Sequence, residues 1–377
     1  MGITQGMRRL SVLVLLTPLL LLLPPGPAQA QAIAHYRHLP AQVVGTVAVG
    51  MPDERTVQVQ HLDAATGQWD APTTIHRAKG RVTCGNVEGR ASTNGGVALL
   101  VECDTPYYED QAPVHSIGLV SPDGSGWAKR KLEGEAYAAP AISPSGTYAA
   151  WLVGGIGAYV EWSATTGFGA RPAQTSYHAD NGDSTLVVDD AGVVTVLGPE
   201  SVGRTCVLGV HTRDLAGHRT HTTVAVDPGC GDGSVVNVDA DTVLAGGYER
   251  AHATTVSRTP TGWAATAPPP ADGQGLVHYG YRGTRIATHF AYSSTPGSPV
   301  VALGSPDRRR ILAQVYDATT RSWSPQTTAY TSAKPCGSSY DEPVLRPGTY
   351  AEQLRCGKRT VTLRSTDGVT WTVSRHR

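Results

Sequence analysis

Along the chain, an alternating strand is followed by a turn carrying Asp, Gly or Thr, and then by an aromatic residue that opens a second strand. This pattern recurs as VQVQHLDAATGQW ending at Trp69, IGLVSPDGSGW ending at Trp127 and YVEWSATTGF ending at Phe168. It returns as VLGVHTRDLAGH ending at His218, TTVSRTPTGW ending at Trp263, ILAQVYDATTRSW ending at Trp323 and VTLRSTDGVTW ending at Trp371. The intervals are 58, 41, 50, 45, 60 and 48 residues. Each copy reads as a hairpin of period-2 strands. Between the hairpins lie two further strand-like runs, such as Gly96–Cys103 and Thr147–Val153. Four short strands per unit at this period predict the blade of a β-propeller, and seven copies predict seven antiparallel blades. Two β-sandwich domains are the alternative, but they do not force a recurring hairpin. The blades are expected near residues 31–76, 77–134, 135–176, 177–227, 228–269, 270–332 and 333–377. The chain shows no obvious strand exchange to close the ring, unless Ile33–His38 completes the first or last blade.

Composition adds a compartment. Residues 1–30 read as a signal peptide: Arg8 and Arg9, the apolar stretch Leu10–Leu23, then Ala28-Gln29-Ala30 as a small-x-small cleavage site. Residues 31–377 form the single propeller domain, expected outside the cell. The Leu-rich core fits general secretion better than twin-arginine export, and no segment is apolar for long enough to span a bilayer. The 31 basic and 31 acidic residues cancel, which argues against a nucleic-acid partner. With 43 glycines and 26 prolines, long helices are not expected. Few lysines among the basic residues, with much Ala, Gly and Val, suggest a GC-rich genome such as an actinomycete's.

The six cysteines imply disulfides in such a compartment. Of the 15 pairings, sequence proximity favours Cys84–Cys103, Cys206–Cys230 and Cys336–Cys356. With strands A to D running outwards from the axis, all three bridges fall on the face that carries the B–C and D–A loops, the top.

No nucleophile elbow, HExxH, phosphate loop, calcium loop or CxxC occurs, so neither a cofactor nor a metal is expected and catalysis is not favoured. His178, Asp180 and Asp183 read as a turn, and Glu109, Asp110, Asp180 and Asp183 as solvated loop acids that two-carboxylate glycosidase chemistry would need across the axis. Two insertions on the top face stand out. Asp104–Val114 carries Tyr107, Tyr108, Glu109 and Asp110, and Ser293–Arg310 ends in Arg308, Arg309 and Arg310. Tyr and Arg are enriched in interface hot spots, which makes these seven residues the partner-binding candidates.

The turns also carry resemblances. Ser365-Thr366-Asp367-Gly368-Val369-Thr370-Trp371 resembles the Asp-box of sialidase-like propellers, one residue short, and Ser121–Trp127 is a looser relative. That likeness implies a scaffold role: Asp and Ser bond the turn backbone while Trp packs between blades. Tyr36-Arg37-His38-Leu39-Pro40 resembles the sialidase N-terminal Y-R-I-P with an extra residue, but the remaining catalytic set is not assignable. In signal peptide, size and blade count, the chain resembles the secreted seven-bladed propellers of streptomycetes. This resemblance implies a non-catalytic protein acting on a secreted neutral metalloprotease, by inactivation or induced autolysis. It also implies cross-linking by a transglutaminase, with Gln68 and Gln326 as acceptors. The alternative is a glycan-binding lectin or a sialidase-like glycoside hydrolase.

Overall fold

A computed structural model describes residues 33–34, 36–63, 65–104, 115–132, 138–153, 158–174, 184–226, 233–247, 254–265, 286–291, 299, 301–305, 307–317, 319–320, 322–338 and 349–376. The signal-peptide reading of residues 1–30 lies outside them. The described strands form seven antiparallel sheets, each drawn from one contiguous stretch of chain, arranged as a seven-bladed β-propeller.

Blade one comprises β1 (Leu39–Val44), β2 (Val47–Asp53), β3 (Thr56–Asp63) and an outer edge split into β4 (Gln68–Trp69) and β5 (Thr73–Arg77). Blade two is β6 (Thr83–Ala91), β7 (Val97–Asp104), β8 (His115–Ser121) and β9 (Ala128–Lys131). Blade three is β10 (Ala141–Ile142), β11 (Tyr148–Val153), β12 (Ala158–Ser163), and the split edge β13 (Gly167–Phe168) and β14 (Ala173–Gln174). Blade four is β15 (Thr185–Val188), β16 (Val194–Val202), β17 (Thr205–Arg213) and β18 (Arg219–Val224). Blade five is β19 (Gly233–Asp239), β20 (Thr242–Gly247), β21 (Thr254–Thr259) and β22 (Gly262–Ala265). Blade six is β23 (Ile286–Ala291), β24 (Val301–Ser305), β25 (Arg310–Asp317), and the split edge β26 (Ser322–Trp323) and β27 (Thr327–Thr331). Blade seven is β28 (Cys336–Ser338), β29 (Tyr350–Cys356), β30 (Arg359–Ser365) and β31 (Thr372–His376).

The three split edges share a cause. Each contains a proline, Pro72, Pro172 or Pro325, which has no N–H for the ladder. The residue leading into each break still reaches back to the third strand: Asp70 N to His61 O, Gly169 N to Glu161 O and Ser324 N to Val315 O, at 2.8–2.9 Å. The unsplit edges of blades two, four, five and seven carry no proline within the outer strand.

The core lies between blades. Successive residues of an inner strand face opposite neighbours, so the run VALLV is apolar throughout rather than alternating: Leu99 joins the cluster with blade one and Leu100 the cluster with blade three. Single polar bonds pin these faces in register. Trp151 Nε1 donates to Leu99 O at 2.9 Å between blades two and three, and Trp323 Nε1 to Thr255 Oγ1 at 3.1 Å between blades five and six. Of the aromatics that open the outer strands, Trp69 and Trp323 are buried, while Trp127, Phe168, Trp263 and Trp371 pack half-buried against inter-blade clusters. His218 departs from the series: it is exposed and pairs with Asp214 at 2.9 Å.

Among the described residues, Ile33–His38 adds no strand. Leu39 opens the first strand of blade one, and His38 only extends that pairing by donating its N–H to Met51 O. The segment instead lies on the face of blade one opposite the one packed on blade two, where Ile33 joins Val43, Ala48 and Trp69. Tyr36 sits on Gly50, where any Cβ would collide with its ring.

Candidate functional site

The end of the ring carrying the B–C turns is built on two disulfides. Cys84 and Cys103 are directly opposed across β6 and β7, and so are Cys336 and Cys356 across β28 and β29; both pairs are bonded. Cys206 is also disulfide-bonded, while its expected partner Cys230 lies outside the described residues. Disulfides of this kind suit an oxidising compartment.

Each of these two bridges is latched to the blade before it. Cys84 N donates to Glu54 O at 2.5 Å across the two blades, while Ala78 N, just past β5, donates to Arg55 O at 2.8 Å within blade one, both acceptors lying in the turn between β2 and β3. In the same way Cys336 N donates to Arg308 O at 2.7 Å across two blades, while Ser332 N, just past β27, donates to Arg309 O at 2.8 Å within blade six, both acceptors lying in the turn between β24 and β25. The cysteine carbonyls are held too: His38 Nε2 stands 3.0 Å from Cys84 O, and Arg308 Nε donates to Cys336 O at 3.1 Å.

This geometry corrects the reading of Ser293–Arg310 as one long B–C insertion. The segment contains β24, so the arginines lie in a tight turn instead. Arg308 takes a left-handed backbone with φ of 60°, and its side chain is committed to Cys336 O. Asp307 organises the turn. Its Oδ1 accepts the N–H of Arg309 at 2.9 Å and of Arg310 at 2.7 Å, and its Oδ2 accepts Arg310 Nε at 3.0 Å. The Arg310 N–H above all, with the Arg309 N–H and the Arg310 guanidinium, holds the Asp307 carboxyl below its usual range against slight desolvation. Arg309 and Arg310 are exposed.

Tyr107, Tyr108, Glu109 and Asp110 lie outside the described residues, as do His178, Asp180 and Asp183. The strands that flank residues 105–114 are described: Cys103 and His115 pair across β7 and β8, next to the Cys84–Cys103 bridge. Gln68 opens β4 and Gln326 lies in the split edge of blade six, both half-buried and both engaged by neighbours. They belong to the outer rim, away from the disulfides.

One group of metal-type donors at this end is spent: His76 lies near Cys84 and Cys103, but those sulfurs are bonded to each other. Burial first, then the charge of Lys129, pushes the His76 imidazole below its ordinary value. The latches were missed in the sequence because they join backbone atoms of different blades. Only the repeated Asp–x–Arg of residues 53–55 and 307–309 hinted at two equivalent turns.

No protein-family model matches the chain, and no curated protein does. Among solved structures, the chain is similar to apo AztD from Citrobacter koseri at 13% identity, over 88% of this chain and 82% of that one, with a TM-score of 0.45. It is similar to TolB from Acinetobacter baumannii at 11% identity, over 90% and 65%, with a TM-score of 0.37. A prolyl endopeptidase matches at 12% identity over 89% of this chain, which spans about half of that longer protein (49%), with a TM-score of 0.48. At such identities and scores these likenesses carry no function across, and the propeller assignment stands on the strand topology.

Proposed function

We propose that the chain is a secreted, non-catalytic binding protein whose B–C and D–A loops engage another extracellular protein. The observation that carries this reading is the pair of disulfide latches: two bridges and two inter-blade backbone bonds stiffen one end of the ring, and the strands flanking residues 105–114 are paired beside one of them. Loops held on a rigid scaffold lose less entropy on binding. A secreted neutral metalloprotease is the partner class that the streptomycete resemblance implies, its inactivation or autolysis being the outcome. In this reading Tyr107 and Tyr108 supply the anchor, Glu109 and Asp110 an acidic rim, and Arg309 and Arg310 a basic one. Gln68 and Gln326 remain the proposed transglutaminase acceptors.

The test is recovery of partners from culture supernatant with purified mature protein, followed by incubation with a neutral metalloprotease. Tyr107→Ala/Tyr108→Ala should weaken capture about thirtyfold or more, while Arg309→Ala/Arg310→Ala should mainly alter the association rate and its salt dependence. Unchanged capture in both, with the melting temperature intact, would move the site elsewhere. Retention on a glycan array, or glycoside turnover lost in Glu109→Ala, would favour the sugar-active alternative.

A further inference from the structure

Blade four carries a second set of chemistry-bearing side chains, in a different blade from the Cys84–Cys103 and Cys336–Cys356 bridges and beginning one register step from the disulfide-bonded Cys206. Glu200 of β16, His211 of β17 and His221 of β18 project from the face of the sheet turned towards blade three. Glu200 Oε2 stands 2.9 Å from His221 Nε2 and 3.5 Å from His211 Nε2, and the three donor atoms all lie within 4.8 Å of one another. The two histidines are directly opposed across β17 and β18, with rings stacked at 4.3 Å.

The sheet leaves room for this group in one place. Gly209 lies on the same face, between Glu200 and His211; a Cβ there would collide with Glu200 Oε2 and come within 3.1 Å of His211 Nε2. Burial is graded across the set: His211 is 3% exposed, whereas the His221 side chain is 41% exposed. One flank of the cluster therefore opens to solvent.

We infer that Glu200, His211 and His221 form a binding site for a zinc-class divalent transition metal, with a fourth position open to water or to a ligand atom of another molecule. Two imidazoles and one carboxylate are the donors such ions take, whereas calcium and magnesium favour shells of six or more oxygens. Bonds of about 2.0–2.1 Å in a tetrahedral site place donors about 3.3 Å apart. The Glu200–His211 separation is close to that. The Glu200–His221 contact, now at hydrogen-bond length, lengthens slightly as the ion replaces the proton, and the stacked rings splay so that both lone pairs converge.

Motif search misses this site because its ligands come from three strands. The sequence still holds a trace of it: His211 and His221 are placed symmetrically about the Asp214–His218 turn, which opposes them in any regular hairpin.

The experiment is calorimetric titration of the full mature chain with Zn²⁺, paired with visible absorption of its Co²⁺ form. One Zn²⁺ per chain and the intense absorption of tetrahedral Co²⁺ are expected. His221→Ala and Glu200→Gln, both on the accessible side of the cluster, should lower affinity by about 100-fold or more with unchanged melting curves in the absence of metal. His218→Ala, in the same hairpin but paired with Asp214 outside the cluster, should bind as the parent does. The proposal is overturned if the parent takes up no stoichiometric Zn²⁺, if His221→Ala binds normally, or if His218→Ala loses as much affinity as His221→Ala.

Discussion

At the residue scale, one short polar side chain holds the outer hairpin turn of each blade: Asp63, Asp123, Ser163, Asp214, Thr259, Asp317 and Asp367 in order. The Asp367 turn is the most complete. Its Oδ1 accepts the N–H groups of Val369 and Thr370 at 2.8 and 2.7 Å, and Ser365 Oγ donates to it at 2.9 Å. Trp371 Nε1 then donates to Gly368 O at 3.1 Å, tying the aromatic to the turn it follows. The scaffold role implied by the Asp-box resemblance is the role this turn plays. The Thr370 and Val369 N–H groups, then the Ser365 hydroxyl, lower the Asp367 carboxyl to about 2. A carboxylate whose folded value lies below its unfolded one contributes stability above the unfolded value and loses it as pH falls through the folded value. Asp367→Ala should therefore cost about 1 kcal/mol near neutrality. That difference should shrink between about pH 4 and pH 2, as melting in a pH series would show. Asp367→Asn separates the two contributions, since its amide oxygen still accepts the turn N–H groups without the charge. A difference constant from neutrality to about pH 2 would mean that the charge contributes nothing.

At the scale of the element, the unit is a blade plus the latch to the next. The Cys84–Cys103 and Cys336–Cys356 bridges close short loops, at sequence separations of 19 and 20. In the chain-entropy model each contributes about 3 kcal/mol. Cys336→Ser/Cys356→Ser is expected to lose that amount in denaturant titration; a loss well under 1 kcal/mol would show that the latch bonds alone hold blade seven to blade six. Arg308 allows a finer test. Arg308→Ala keeps the left-handed strain and loses the bond to Cys336 O, whereas Arg308→Gly loses the bond but relieves the backbone. Alanine should therefore be the more destabilising by about 1 kcal/mol, and equal losses would remove the backbone from the account. Much at this scale was legible in advance. The turn-plus-aromatic repeat located every outer hairpin, because a polar cap recurs at each and a Trp or Phe at all but the fourth, where His218 stands. Proline marked the three split edges only in retrospect, since an interruption inside an edge strand reads in sequence like the end of a loop. The arginine tip was misread because β24 is short and flanked by prolines and glycines, so its apolar residues merged into a presumed loop. The Glu200 cluster was invisible because strand register, not spacing, assembles it.

At the scale of the whole molecule, the face of blade one opposite blade two is covered by the segment that precedes β1. Tyr36 is 3% exposed, and its hydroxyl has no hydrogen-bond partner among the described residues. Burial first, then the nearby Asp70 charge, pushes its phenol up to about 12. An unsatisfied buried hydroxyl gains nothing for the fold, so Tyr36→Phe should leave the melting temperature unchanged or raise it. Tyr36→Ala, which empties the space over Gly50, should cost about 3 kcal/mol. The raised phenol also means stability that is present below about pH 10 and lost as pH rises through about 12, a loss the Phe variant should not share. If Phe proves as damaging as Ala, the hydroxyl is bonded and this account of the face fails. The ring has a further property that follows from each sheet being completed within its own stretch of chain. Among the described strands, no blade borrows one from the far end of the polypeptide, so the order in which the blades are encoded is separable from the way they pack. A gene rotated to start at any D–A connection would specify the same sheets and the same turns. An unequal duplication of one unit would add a whole blade rather than fragments of two. Such a ring can be lengthened, shortened or recut by copying errors alone, and its history can be written in whole blades.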